Sequence, residues 1–132
     1  MIVGIGSDLT KIERIEESIR QFGDRFLLRI FTERELDAME KRKRVSLRRY
    51  ASSAAKRFAA KEACSKALGT GFRRGVFWRD IEIIHQPSGK PEMFLHNGAR
   101  EKFVELCGEE GHIHVTMTDD FPYAQAFVII EK

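Results

Sequence analysis

No apolar run in this 132-residue chain is long enough to cross a membrane, and no charged-then-apolar leader precedes its first structured segment. A cytoplasmic protein with no membrane partner is therefore expected. Two cysteines, Cys64 and Cys107, make neither a disulfide framework nor a zinc spacing, and read as small buried thiols. The four histidines, His85, His96, His112 and His114, show no zinc spacing either. Internal repeats, low-complexity tracts and interdomain linkers are all missing, so one domain over residues 1–132 is expected, with chain enough for one modest core. Apolar residues make up 42% and charged residues 33%, an ordinary balance for a globular chain.

The net charge of +3 conceals an uneven distribution. Residues 1–74 hold 18 of the 23 Lys and Arg but 10 of the 20 acids, a local balance of +8, and the remainder carries −5. A basic half suits an acidic partner: nucleic acid, a phosphorylated ligand or an acidic protein. A solvated face with no partner is the alternative. The run KRKR at Lys41–Arg44 reads as part of an exposed connection, with a nucleic-acid signal as the sharper reading.

Neither Gly nor Pro interrupts the stretch from Ser46 to Leu68, which is rich in Ala, Leu, Lys and Arg. That composition predicts one long helix, roughly 34 Å at about 1.5 Å per residue, with Ser46 as N-cap and Gly69 at its left-handed end. Leu47, Tyr50, Ala51, Ala54 and Phe58 share one face. Continued, that face meets Glu62 and Ser65, flanked by Lys61 and Lys66. An apolar stripe that turns into carboxylate, hydroxyl and ammonium marks a candidate site. Glu62 and Lys66 also form an ordinary i,i+4 pair.

Around this helix the chain alternates short elements. Met1–Leu9 reads as a buried strand. Its Gly4 and Gly6 do not make a dinucleotide fingerprint, since the third glycine is missing. Asp8 at the strand end could cap the next helix, a role also open to Thr10, or could hold a hard cation such as Mg²⁺. Thr10–Phe22 is an amphipathic helix, and short turns start near Asp24 or Thr32. Arg25 and Arg29 share a face, a like-charge pair that invites a partner. Val76–His85 and Glu92–Leu95 form a hairpin around QPSGKP, with Trp78, Ile81 and Ile83 for burial. Asn97 caps a helix through Cys107, and strands follow at His112–Thr118 and Tyr123–Glu131. The expected class is α+β: a mainly antiparallel sheet packed around one long central helix with smaller helices. Asp8, Glu62, Lys66, the Gly69-Thr70-Gly71 loop and the last hairpin with Thr116, Thr118 and Asp119 could converge. Two carboxylates from distant parts of the chain suit Mg²⁺ beside phosphate oxygens, and a Lys suits the phosphate.

Four blocks lie in order along the chain: GIGSDLTKIERI, KRFAAKEACSKALGTG, WRDIEI followed by SGKP, and HVTMTDD with YAQAFVIIE. Together they closely resemble the holo-[acyl-carrier-protein] synthase family, the small bacterial phosphopantetheinyl transferases, over nearly the whole length. The resemblance implies transfer of the 4′-phosphopantetheine arm of coenzyme A to a serine of apo-acyl carrier protein in fatty acid biosynthesis, with release of adenosine 3′,5′-bisphosphate. It implies Mg²⁺ on Asp8 and Glu62, with Lys66 at the phosphate. It implies Arg57, Lys61, Ser65, Gly69, Thr70 and Gly71 along the nucleotide, Gly89, Lys90 and Pro91 on its adenine side, and Thr118 also at the cofactor. Arg14, Arg25 and Arg29 match positions that meet the acidic carrier, which accounts for the basic half without nucleic acid. A homotrimer with active sites between subunits is the family expectation. One departure stands out. Relatives often have His where this chain has Asp119, in Thr116-Met117-Thr118-Asp119. An ionised Asp donates no hydrogen bond, so a role for that His does not carry over.

Overall fold

The computed structural model describes all residues from Met1 to Lys132. In order they form β1 (Ile2–Lys11), α1 (Ile12–Phe22), α2 (Asp24–Ile30), α3 (Glu33–Lys43), α4 (Leu47–Leu68), a 3-10 turn (Trp78–Asp80), β2 (Ile81–His85), β3 (Pro91–Leu95), α5 (Asn97–Cys107), β4 (His112–Asp120) and β5 (Tyr123–Glu131). All pairing is antiparallel: β5 lies between β1 and β4 in a three-stranded sheet, and β2 pairs with β3 separately. The class is α+β, as expected.

The long helix α4 organises the rest. Ser46 Oγ accepts from the Arg49 amide at 3.0 Å, and Gly69 ends the helix at φ +79. Its alanines at 51, 54, 55, 59, 60, 63 and 67 are buried. They let neighbouring backbones come close, so α4 is enclosed on most sides. Its first half, with Tyr50 and Ala54, joins Ile12, Ile15, Ile30, Phe31 and Met39 in one cluster. Its second half, with Ala60, Ala63 and Leu68, joins Ile81, Ile83, Phe103, Val128 and Ile130 in another. Burying each large side chain of these clusters contributes about 1.5–3 kcal/mol.

Glycines 4 and 6 have a packing role rather than a nucleotide role. A Cβ on Gly6 would collide with the Ala63 carbonyl oxygen, and one on Gly4 with that of Ala67. β1 thus lies backbone against backbone on α4. The face it turns to α4 carries Gly4, Gly6, Asp8 and Thr10. Its other face carries Ile5 and Leu9, 59% and 61% exposed, beside Tyr123 and Phe127 of β5.

Several boundaries differ from expectation. β1 runs on to Lys11, because Thr10 pairs with Ala124 of β5. Thr10 is therefore buried in the strand and caps nothing, and neither does Asp8: its Oδ2 accepts from Thr10 Oγ1 at 2.6 Å. The segments after Asp24 and Thr32 are full helices. Thr32 heads α3 in a capping box with Glu35. Glu40–Lys43 form the end of α3, not a connection, where cations complement the helix dipole. Asn97 does not cap α5: its side chain donates to Asp80 Oδ1 at 3.0 Å, and His96 holds the cap position. Trp78 precedes β2 and lies flat between Phe58 and Phe72, with ring centroids 4.8 and 3.7 Å away.

Candidate active site

The close seating of β1 on α4 brings Asp8 to the flank of the helix that carries Glu62 and Lys66. Lys66 Nζ donates to the Ser7 carbonyl at 3.0 Å and meets Asp8 Oδ1 at 3.3 Å. Asp8 is largely covered, while Lys66 is about half exposed. Glu62 is half-buried. Partial burial holds its carboxyl above the ordinary range, the Asp8 charge adds to that, and Lys66 opposes it. A cation beside Glu62 and Asp8 would relieve that repulsion. No group of three His, Cys, Asp or Glu is placed to hold a metal, which leaves Asp8 and Glu62 as a candidate pair of carboxylates. That fits a Mg²⁺ ion, which keeps waters and takes substrate phosphate oxygens as further ligands.

Next to this group, the end of α4 is already hydrogen-bonded to itself. Ser65 is buried, and its hydroxyl donates to the Glu62 carbonyl at 2.7 Å. The amides of Thr70 and Gly71 both donate to the Ser65 carbonyl, and that of Gly69 to Lys66. Thr70 Oγ1 donates to the Gly71 carbonyl at 2.8 Å. These amides close the helix, so the loop offers shape more than free donors.

Lys61 is a correction. Its ammonium is fully enclosed and cannot line a nucleotide. It donates to Glu35 Oε1 at 2.7 Å and to the Trp78 and Ile81 carbonyls. The second oxygen of Glu35 accepts from the Ile83 amide at 3.1 Å. Neighbours on a helix point about 100° apart, so Glu62 reaches the site while Lys61 fastens α4 to α3 and β2.

Arg57 is also buried and lies at the middle of α4. It donates to Ser53 Oγ at 2.6 Å and approaches His85 Nδ1 at 3.3 Å. Its Nε is a buried donor with no partner. Burial lowers its pKa, opposed by Glu35 and reinforced by Arg42. Gly89, Lys90 and Pro91 sit at the β2–β3 turn, and no hydrogen bond joins them to Asp8, Glu62 or Lys66. Thr118 stands on the sheet face away from α4, in line with Leu9 and Gln125. Within one chain it cannot share a site with Asp8. Arg14, Arg25 and Arg29 are exposed, and none joins an internal ion pair. Arg25 and Arg29 border a cavity walled by Phe22, Phe26, Ile30 and Trp78.

The sequence reading missed a basic cleft at the other end of α4. Arg42, Arg48, Arg49 and Lys56 line it, with Asp119 and Phe121. Arg49, Ser52, Ser53 and Lys56 are spaced three and four apart, a helical signal that could have found it. What could not be foreseen is that Lys56 Nζ meets Asp119 Oδ1, 3.1 Å away on β4.

The family model of the 4′-phosphopantetheinyl transferase superfamily matches residues 4–126. A holo-[acyl-carrier-protein] synthase of Agrobacterium fabrum is 54% identical, covering 99% of this chain and 96% of its own. The crystal structure of the holo-[acyl-carrier-protein] synthase from Neisseria meningitidis superposes with a TM-score of 0.82 at 40% identity, covering 100% of both chains. That of Helicobacter pylori, solved in complex with coenzyme A, gives 0.79 at 30% identity over 96% of this chain and 99% of its own.

Proposed function

Because the chain belongs to the 4′-phosphopantetheinyl transferase superfamily, we propose that it transfers the 4′-phosphopantetheine arm of coenzyme A to a serine hydroxyl of an apo-acyl carrier protein. Adenosine 3′,5′-bisphosphate leaves, and fatty acid biosynthesis is the setting. The observation that carries this reading is the joining of Asp8 of β1 with Glu62 and Lys66, from the last turns of α4, into one group. Transfer at phosphorus relies on positioning and charge neutralisation, which this set provides. Asp8 and Glu62 would hold Mg²⁺, which when bound supplies positive charge to the pyrophosphate. Lys66, exposed at its tip, would neutralise phosphate charge at the bond being broken. The attacking serine must lose a proton, which Glu62 or a water bound beside it would accept.

The remaining residues are read across a subunit contact. Thr118 and Asp8 face opposite sides of one sheet, so a shared site needs a second copy. The exposed Ile5, Leu9, Tyr123 and Phe127 give that copy an apolar face to bury, and a homotrimer with active sites between subunits satisfies both. Arg57, with its unpartnered Nε in a basic trough, would meet the nucleotide from the neighbouring subunit, and Ser65, Gly69, Thr70 and Gly71 would shape the near side. Gly89, Lys90 and Pro91 would border the adenine. The free guanidinium groups of Arg14, Arg25 and Arg29 would receive the acidic carrier. No helix is long and apolar enough to cross a membrane, and both cysteines are free thiols, which agrees with a cytoplasmic location.

The test is a mass measurement. Incubation with coenzyme A, Mg²⁺ and an apo-carrier protein should raise the carrier's mass by one phosphopantetheine, and a chelator should stop it. An unchanged carrier mass with metal present would refute the transferase reading. Transfer that survives exhaustive chelation would refute the role given to Asp8 and Glu62.

A further inference from the structure

We propose that Asp119 is a positioning residue that sets how tightly the enzyme grips the anionic nucleotide, acting as an exchangeable counter-ion for Lys56. The inference rests on the reading above that coenzyme A is the donor and adenosine 3′,5′-bisphosphate the product.

The geometry is specific. Asp119 pairs with Ala124 of β5, on the row that continues to Thr10 of β1, so its side chain points to α4. There it meets Lys56 Nζ at 3.1 Å. Thr118, one residue earlier, points to the opposite face. The cleft around the pair contains Arg42, Arg48 and Arg49 but no acid other than Asp119. Arg48 is held over the Phe121 ring at 4.0 Å. Arg42, Ser53 and Lys56 also border the adjoining trough of Arg57, whose Nε lacks a partner. The cleft and the trough share Arg42, Ser53 and Lys56; Asp37 lines the trough, and the carboxylate paired with Lys56 is that of Asp119.

That carboxylate has opposite effects on the empty and filled cleft. Empty, the cations repel one another, and Asp119 relieves the repulsion by neutralising Lys56. Filled, the same charge opposes a phosphate and competes with it for the lysine. Both partners are partly exposed, at 29% and 37%, so the ion pair is weak enough for a phosphate dianion to displace. When the nucleotide leaves, Asp119 recaptures Lys56. The residue weakens binding and hastens release.

The experiment measures adenosine 3′,5′-bisphosphate binding by calorimetry and its dissociation by stopped flow. It compares the wild-type enzyme with Asp119→Asn, Lys56→Met and the double variant. Asp119→Asn should tighten binding about 3- to 10-fold, the effect of one removed charge at this range, and slow dissociation accordingly. Lys56→Met should weaken binding. In the Lys56→Met background the gain from Asp119→Asn should shrink, because competition for the lysine is gone. Unchanged or weaker binding by Asp119→Asn overturns the proposal. Changes that multiply independently in the double variant overturn the route through Lys56. A wild-type protein that binds neither this nucleotide nor coenzyme A overturns the functional reading as well. Thermal melting of each variant confirms that the comparison is between folded proteins.

Discussion

Lys61 and Glu62 are adjacent, and their fates show what a single helical step decides. Lys61 points inward, where Glu35 and two carbonyls enclose its ammonium. Burial lowers its pKa, and the Glu35 charge and hydrogen bond oppose that fall. Glu62 is half-buried, within reach of the Asp8 and Lys66 charges. The two positions should respond differently to substitution. Lys61→Met leaves Glu35 buried without its charged partner and should destabilise the fold by about 3–5 kcal/mol in urea titration, whereas the double change with Glu35→Leu should cost less. Glu62→Gln should leave the urea midpoint nearly unchanged and lower transfer by roughly 100-fold or more, the scale of a lost electrostatic group at the reacting centre. Equal stability losses at the two positions would contradict this division. Glu62 stood out in the sequence because carboxylate and ammonium interrupt an apolar face. Lys61 was misread because its partner, Glu35, lies 26 residues away on a different helix. Nothing local to a sequence shows which of two neighbouring charges finds a buried mate.

At the scale of elements, local signals were read well and remote pairing was not. The cap at Ser46, the end at Gly69 and the Gly- and Pro-free run between them are properties of neighbours in sequence, and α4 follows them. The far end of β1 is different. Lys11 is a strand residue because Tyr123 lies opposite it, more than a hundred positions later. α3 was reduced to turns because charged residues dominate it, with few apolar positions to show a period. The glycines of β1 were noticed for the wrong chemistry. Their function is proximity, and this leads to a test. Gly6→Ala drives a methyl into the Ala63 carbonyl and must push β1 off α4. Overpacking of this kind costs about 1–3 kcal/mol, and the displaced strand carries Asp8 with it. The variant should therefore lose transfer activity well beyond its loss of folded protein, measured as activity per folded molecule at 20 °C below its melting midpoint (roughly, to keep the native state populated). Activity that simply tracks the folded fraction would mean that the seating of β1 does not position Asp8.

For the whole molecule, the question is why the predicted nucleotide residues fail to meet in one chain. Asp8, Glu62 and Lys66 lie together, while Thr118 is on the opposite sheet face and Arg57, at the middle of α4, turns to Ser53 and His85. The same sheet face leaves Ile5, Leu9, Tyr123 and Phe127 open to solvent. Exposed apolar groups in one contiguous face are what an assembling protein conceals. Association on that face would bring one copy's Thr118 and basic trough toward another copy's carboxylate pair. Assembly and catalysis then become a single property. Phe127→Asp places a charge in the middle of this face without touching α4, since Phe127 points away from the core. Analytical ultracentrifugation should find trimers in the wild type and monomers in the variant, and transfer should fall with the trimer. Mixing supplies the decisive arm. Equal amounts of Glu62→Gln and Arg57→Ala subunits, each inactive alone, should regain part of the activity, because some sites in a mixed trimer pair an intact Glu62 with a neighbour's intact Arg57. A mixture no more active than its components would place both residues in the same subunit's site and remove the reason for the trimer.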